Sequence, residues 1–200
     1  MTISSALRPP LQARSRRTLA RIVEASRALI EERGRDGLTV QDVVARGRTS
    51  VGSFYARFSG KEDLLRHLDE ELTASAVQRW DADLSIRVSA DAPLGARVKA
   101  VLGLLVAADH PPMAALDAHR RASVSALLLE RRREIRGRDP ETAVELGYLA
   151  VLGAARERPT GWSDARIVEE LARLWLAYLH DRGDESSEGK QGVDYFQVWT

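Results

Sequence analysis

Along most of the chain apolar residues recur every three or four positions, and nowhere do they alternate one-for-one with polar ones. The first spacing belongs to helices buried on one face and the second to half-buried strands, so the pattern predicts an all-α fold. A helix is expected over residues 15–33, its face set by Leu19, Ile22, Val23, Ser26, Leu29 and Ile30, with Gly34 as a stop. Two very short amphipathic stretches follow, one carrying Val40, Val43 and Val44, the other Val51, Phe54, Tyr55 and Phe58. A long helix over 61–81 then shows a stripe of Leu64, Leu65, Leu68, Leu72, Ala76 and Trp80. Beyond Pro93 the run from Leu94 to Val106 predicts a helix ended by Pro111-Pro112, and another is expected over 121–136 with Val124, Leu127, Leu128 and Ile135 inward. Residues 141–156 are apolar on nearly all sides, and 164–180 return to a one-faced pattern through Ile167, Leu171, Trp175 and Leu179. About nine helices are expected in all.

The two short stretches carry their own punctuation. Thr39 stands where an N-cap belongs, with Asp42 three residues later approximating a capping box, and Gly47 closes the first stretch. Ser50 caps the second, and Gly60-Lys61 marks the break before the long helix. Neither stretch buries enough surface to stand alone. Together they read as a helix-turn-helix over 39–58, packed on the helix at 15–33 and leaving the outer face of its second helix free to enter a major groove.

Charge divides the chain in the same place. Residues 1–61 hold eleven arginines and one lysine against five acidic residues, a net of +7, whereas residues 62–200 carry a net of −6. A basic N-terminal third joined to an acidic remainder fits a nucleic-acid reader fused to a domain with another task. The expected organisation is a flexible basic arm over 1–14 containing Pro9 and Pro10, a DNA-binding domain over 15–76, a helical domain over 77–182, and a polar, flexible tail over 183–200 ending in YFQVWT. With no cysteine there is neither a disulfide framework nor a thiolate metal site. No signal-peptide core and no stretch of roughly 18 apolar residues is found, so the expected location is the cytoplasm, without membrane contact.

Gly34, Leu38-Thr39, Val43, Ser50-Val-Gly-Ser-Phe-Tyr55, Phe58 and Lys61-Glu-Asp-Leu-Leu65 together resemble the tetracycline-repressor (TetR) family of bacterial transcription regulators, over about residues 16–76. The family's usual turn is Ala-Gly-Val-Ser; here it reads Gly47-Arg48-Thr49-Ser50, with an arginine in the place of the turn glycine. The resemblance implies that Thr39, Tyr55 and Lys61 grip phosphates, and that Gln41, Thr49, Ser50, Val51, Ser53, Ala56 and Arg57 face the DNA. Gly52 would let the recognition helix approach closely, Arg48 would add a phosphate contact, and Arg14, Arg16 and Arg17 would touch backbone or minor groove.

It also implies a homodimeric repressor of a palindromic operator, released by a small-molecule effector. The apolar stretch at 141–156, paired with 164–180, suits a four-helix interface between two copies, with Gly147, Ala150, Val151, Ala154, Leu171, Trp175 and Tyr178 as candidate contacts. Trp80, His119, Tyr148, Trp162 and Trp175 are the candidate effector contacts. Asp109, His110, Asp117 and His119 offer metal-capable atoms without a recognised ligand spacing, so no metal or cofactor is expected. An effector-independent regulator or activator is the alternative. A helical enzyme is remote, because no HExxH, phosphate loop or triad is found in the sequence.

Overall fold

The computed structural model describes residues 11–108, 113–136, 139–157 and 160–180. Among these, eight α-helices run in the order α1 (Leu11–Arg33), α2 (Val40–Arg46), α3 (Val51–Tyr55), α4 (Lys61–Arg87), α5 (Leu94–Ala107), α6 (Ala114–Leu129), α7 (Pro140–Arg156) and α8 (Asp164–His180). A single 3₁₀ turn, Arg132–Glu134, lies between α6 and α7, and no strand is present among the described residues. The chain divides into two compact units between Ala74 and Ser75, so α4 contributes to both.

In the first unit α1, α2, α3 and the start of α4 share one core, built from Ile22, Val23, Leu29, Leu38, Val43, Val44, Phe54, Phe58, Leu64, Leu65 and Leu68. Helices of seven and five residues are too short to persist by themselves, and burial of Val43 and Phe54 in this cluster holds them. Each also has the expected cap: the Thr39 hydroxyl accepts from the Asp42 N–H at 3.2 Å, and the Ser50 hydroxyl accepts from the Ser53 N–H at 3.1 Å. Gly47 is small for a packing reason, since a Cβ there would sit 3.0 Å from the Val43 carbonyl oxygen and 3.1 Å from that of Arg21. The left-handed residue of the turn is Arg48, at φ +47°, so an L side chain occupies a conformation that glycine takes without strain.

In the second unit α5 is surrounded by α6, α7 and α8, and its Leu94, Val98, Val101, Leu102 and Leu105 are buried in a core with Val124, Leu128, Val144, Tyr148, Leu171 and Trp175. Arg97 is almost fully buried, and each of its guanidinium nitrogens donates a hydrogen bond. Its Nε donates to the Ala92 carbonyl, its Nη2 to that of Ala90, and its Nη1 to the Leu127 carbonyl and the Glu130 carboxylate. Glu134 accepts from the Leu94 N–H at the start of α5, and the Arg136 N–H donates to the Leu179 carbonyl in α8. Asp139 caps α7 by accepting from the Thr142 N–H and hydroxyl, bonds that hold its carboxyl below the usual range.

Several boundaries differ from those the spacing predicts. α1 begins at Leu11, so Arg14, Arg16 and Arg17 ride on a helix; past Pro10 the run Leu-Gln-Ala-Arg holds no breaker. α4 continues to Arg87, and Leu72 on its stripe is half exposed and belongs to neither core. α6 spans 114–129 where 121–136 was expected. Leu128 and Ile135 both reach the core seven residues apart, as a continuous helix would place them, but a 3₁₀ turn separates them. The expected stop at Pro111-Pro112, the metal-capable Asp109 and His110, most of the N-terminal arm and the tail at 183–200 lie outside the described residues.

Glycine substitutions distinguish packing from propensity. A Cβ on Gly147 would overlap the Trp175 indole, whereas one on Gly95 makes an ordinary 3.6 Å contact with Leu176. Gly147→Ala is therefore expected to destabilise by about 1–3 kcal/mol, against its helix propensity, and Gly95→Ala to stabilise by about 0.5–1 kcal/mol, as measured by urea unfolding. Relief of left-handed strain makes Arg48→Gly a stabilising change of about 1 kcal/mol. A midpoint below that of the parent chain would contradict this account of the turn.

Candidate nucleic-acid interface

α3 buries one side, through Phe54, and leaves Ser50, Val51, Gly52, Tyr55 and Ala56 exposed on the other, with Thr49 and Ser53 half-buried. The ring of Phe54 meets Tyr55 edge-on at 5.4 Å and Phe58 at 5.5 Å, which fixes the rotation of the short helix about its axis. Tyr55 is 55% exposed, and a Cβ added at Gly52 would enter open space. Gln41 is exposed on α2.

The arginines of the first unit fall into two sets. Arg27, Arg33, Arg35, Arg46 and Arg66 each face a carboxylate, from Glu71, Asp42, Asp69, Glu32 and Asp63 respectively. Arg14, Arg16, Arg17, Arg21, Arg48 and Arg57 have no acidic partner among the described residues. All six are tied to one neighbourhood, the N-terminal half of α1 and the turn and end of α3. Arg21 donates to the Arg48 carbonyl at 3.4 Å, and Arg57 donates to the Ser15 hydroxyl at 3.1 Å. Arg14, Arg17, Thr18 and Arg21 also line an open cleft of about 590 Å³. Cations without carboxylates on one surface are the footprint of a phosphate-binding face.

Several of the expected contacts are engaged within the protein, among them the Ser50 hydroxyl, which donates to that of Ser53 at 2.9 Å. Arg57 Nη1 donates to the Ser53 carbonyl at 2.6 Å while Nη2 reaches Ser15, so the side chain braces α3 against α1. Lys61 Nζ donates to the Asp36 carbonyl at 3.1 Å. The Thr39 hydroxyl donates to the Asp42 carboxylate at 2.8 Å. Ser59 donates from its N–H and hydroxyl to Asp63, holding that carboxyl below the usual range at the start of α4. Arg21 was absent from the sequence-derived contacts; its position one helical turn beyond Arg17 is the signal that marks it, once Arg14 and Arg17 are helical.

In the second unit the five candidate effector contacts do not converge. Trp162 is a surface residue with the Arg166 guanidinium 4.3 Å from its ring, and His119 pairs with Asp81 at 2.7 Å. Tyr148 and Trp175 are core neighbours with ring centres 6.4 Å apart. Trp80 lines a cavity of about 300 Å³ with Arg79, Asp83, Arg87, Leu104 and Arg120.

The candidate dimer contacts divide as well. Gly147, Val151, Leu171 and Trp175 are buried within the protomer, Tyr178 is half-buried, and Ala150 and Ala154 are exposed. Beside them Leu146, Leu149 and Leu174 stand about half exposed, and an apolar groove of about 310 Å³ runs between Leu146, Ala150, Leu174 and Tyr178. These leucines were missed because an all-round apolar helix does not reveal which side its own protomer covers.

Among the described residues no helix is long and apolar enough to cross a membrane, and no three acidic or histidine side chains are grouped to hold a metal ion. The sequence profile of the bacterial regulatory proteins, tetR family, matches residues 22–68. Among curated protein sequences none matches. Among the solved structures that share the fold are the following two. One is a transcriptional regulator of the TetR/AcrR family from Thermobifida fusca, with 20% identity, a TM-score of 0.50, and 80% of this chain and 96% of that chain covered. The other, from Mesorhizobium loti, is assigned to the TetR family of transcriptional regulators, with 16% identity, a TM-score of 0.53, and 83% and 96% covered. Over residues 22–68, which hold the helix-turn-helix, the chain carries a DNA-binding unit of the type found in the tetR family of bacterial regulatory proteins.

Proposed function

We propose that two copies of this chain bind a palindromic operator in double-stranded DNA, repress transcription there, and are released by a small-molecule effector. The observation that carries the reading is the segregation of arginines: those without carboxylate partners gather around α3, and the rest are neutralised elsewhere. In this reading Thr39, Arg48, Tyr55 and Lys61 hold phosphates, with Arg14, Arg16, Arg17 and Arg21 beside them. Gln41, Thr49, Ser50, Val51, Ser53 and Ala56 meet base edges, Val51 and Ala56 through thymine methyl groups. Gly52 admits the backbone close to the groove. Arg57 acts first as a brace, and its base contact requires it to leave Ser15.

Dimerisation through α7 and α8 is supported by the exposed Leu146, Leu149 and Leu174 with Ala150 and Ala154, a contiguous apolar face that an isolated protomer would leave wet. A two-fold pair would present two recognition helices to successive major grooves about 34–36 Å apart. Effector binding in the second unit would shift the population toward a state in which α4, the helix common to both units, carries α3 out of register.

Selection from random duplex oligonucleotides should return a palindrome. On it, Tyr55→Ala and Lys61→Ala are each expected to weaken binding by about tenfold, with Lys61→Ala lowering the salt slope by about one. Parental affinity in both variants would refute the assigned docking. Leu174→Glu should yield monomers in sedimentation and lose operator binding in parallel; a dimeric Leu174→Glu would place the interface elsewhere.

A further inference from the structure

Two arginines are almost wholly buried in the second unit, Arg97 at 1% exposure and Arg120 at 8%, and they are held in opposite ways. Every nitrogen of the Arg97 guanidinium donates to an acceptor, at 2.5–2.9 Å. That is a structural arginine, its desolvation offset by hydrogen bonds. Arg120 makes no guanidinium hydrogen bond among the described residues. Its Nε is buried without a partner, and its one carboxylate, Asp117, lies 3.7 Å from Nη1. Asp117 is already claimed by Arg156 at 2.8 Å, so two cations share one anion. The remaining compensation for Arg120 is the face of Trp80, with the guanidinium carbon 5.1 Å from the ring centre. Burial consequently pushes the Arg120 pKa down from its ordinary value, while the group stays charged.

Arg120 borders the cavity beside Trp80, whose wall is apolar at Ala76, Trp80 and Leu104 and basic at Arg79, Arg87 and Arg120, against the single carboxylate of Asp83. Arg79 and Arg87 have no ion pair among the described residues, and Arg87 lies over α5 beside Gly103, 3.6 Å from where a Cβ would sit. The indole cannot turn to serve a ligand, because its Nε1 donates to the Ser123 hydroxyl at 2.8 Å. Trp80 therefore offers a fixed flat wall. The volume, about 300 Å³, is at the small end of the range for small-molecule sites. A buried cation short of hydrogen-bond partners is costly, and an anion in the cavity that Arg120 lines would compensate it.

We infer that this cavity takes a small monoanionic effector, an apolar or aromatic body carrying one carboxylate, with the carboxylate on Arg120 and the body against Trp80 and Leu104. One buried cation matches one charge, and Arg79 and Arg87 add positive potential to the wall that the single carboxylate of Asp83 only partly offsets. Neutral analogues of the same shape leave the Arg120 charge uncompensated and bind poorly. The inference rests on the proposed effector release for its regulatory meaning, though not for binding itself.

The test uses the full chain without DNA and three acid and amide pairs: phenylacetate and phenylacetamide, 2-naphthoate and 2-naphthamide, octanoate and octanamide. Calorimetry and thermal shift should find at least one acid that binds and raises Tm, with its amide at least about tenfold weaker, the worth of one charge-assisted hydrogen bond. Arg120→Met, which keeps the volume and removes the charge, should fold and weaken that acid by about tenfold or more. The exposed Arg87→Ala, whose folding is not at issue, should weaken it a few-fold through lost attraction. Binding by no acid at millimolar concentration, equal binding of acids and amides, or undiminished acid binding in both variants would overturn the inference. Addition of the bound acid to the wild-type complex with its selected operator is a separate readout. Binding without DNA release would retain the anion site and refute the effector-release reading, whereas tight operator binding with no acid bound would do the reverse.

Discussion

A helix of five residues has too few hydrogen bonds to exist by itself in water, and the exposed face of the helix-turn-helix is arranged around one. What fixes α3 is the insertion of Phe54 between Phe58, α1 and the start of α4, together with the Ser50 cap. Because the side chain of Phe54 is buried, its neighbours Val51, Tyr55 and Ala56 have no freedom to turn inward, and the outward face is decided by a single aromatic anchor. The Arg57 brace to Ser15 adds a second constraint at the other end of the same turn. The side chains that α3 presents outward are thus set by core packing one to three residues away.

Much of this was legible in the sequence for a physical reason. Caps and anchors of short helices are local: Thr39 with Asp42, Ser50 with Ser53, and Val43 with Phe54 lie within a few residues of the backbone they organise. The same locality made α8 readable from Asp164 to His180, since its one-faced pattern and its ends coincide. The family match over residues 22–68 falls on this segment as well.

The rest depended on distant partners. Leu128 and Ile135 kept helical spacing across a break, because the core accepts a side chain from a 3₁₀ turn as readily as from a helix. Arg97 and Arg120 are two arginines on helices whose sequence context does not say which will be saturated. Whether an arginine is saturated or left with an open donor is decided by carbonyls 5 to 30 residues away, such as those of Ala90 and Leu127, and no spacing encodes that. Trp162, equally, is an aromatic beside a helix start, and only the third dimension puts it under Arg166 at the surface.

The indole of Trp175 lies directly over the backbone of Gly147, where no larger residue fits without displacing it, and its Nε1 has no hydrogen bond. This contact locks the crossing of α7 over α8 inside a single protomer. The leucines that project from these two helices consequently stand at set separations before anything meets them. A surface shaped in advance loses little conformational entropy when it is covered, so the association free energy of whatever docks there depends on fit and burial and is scarcely reduced by ordering.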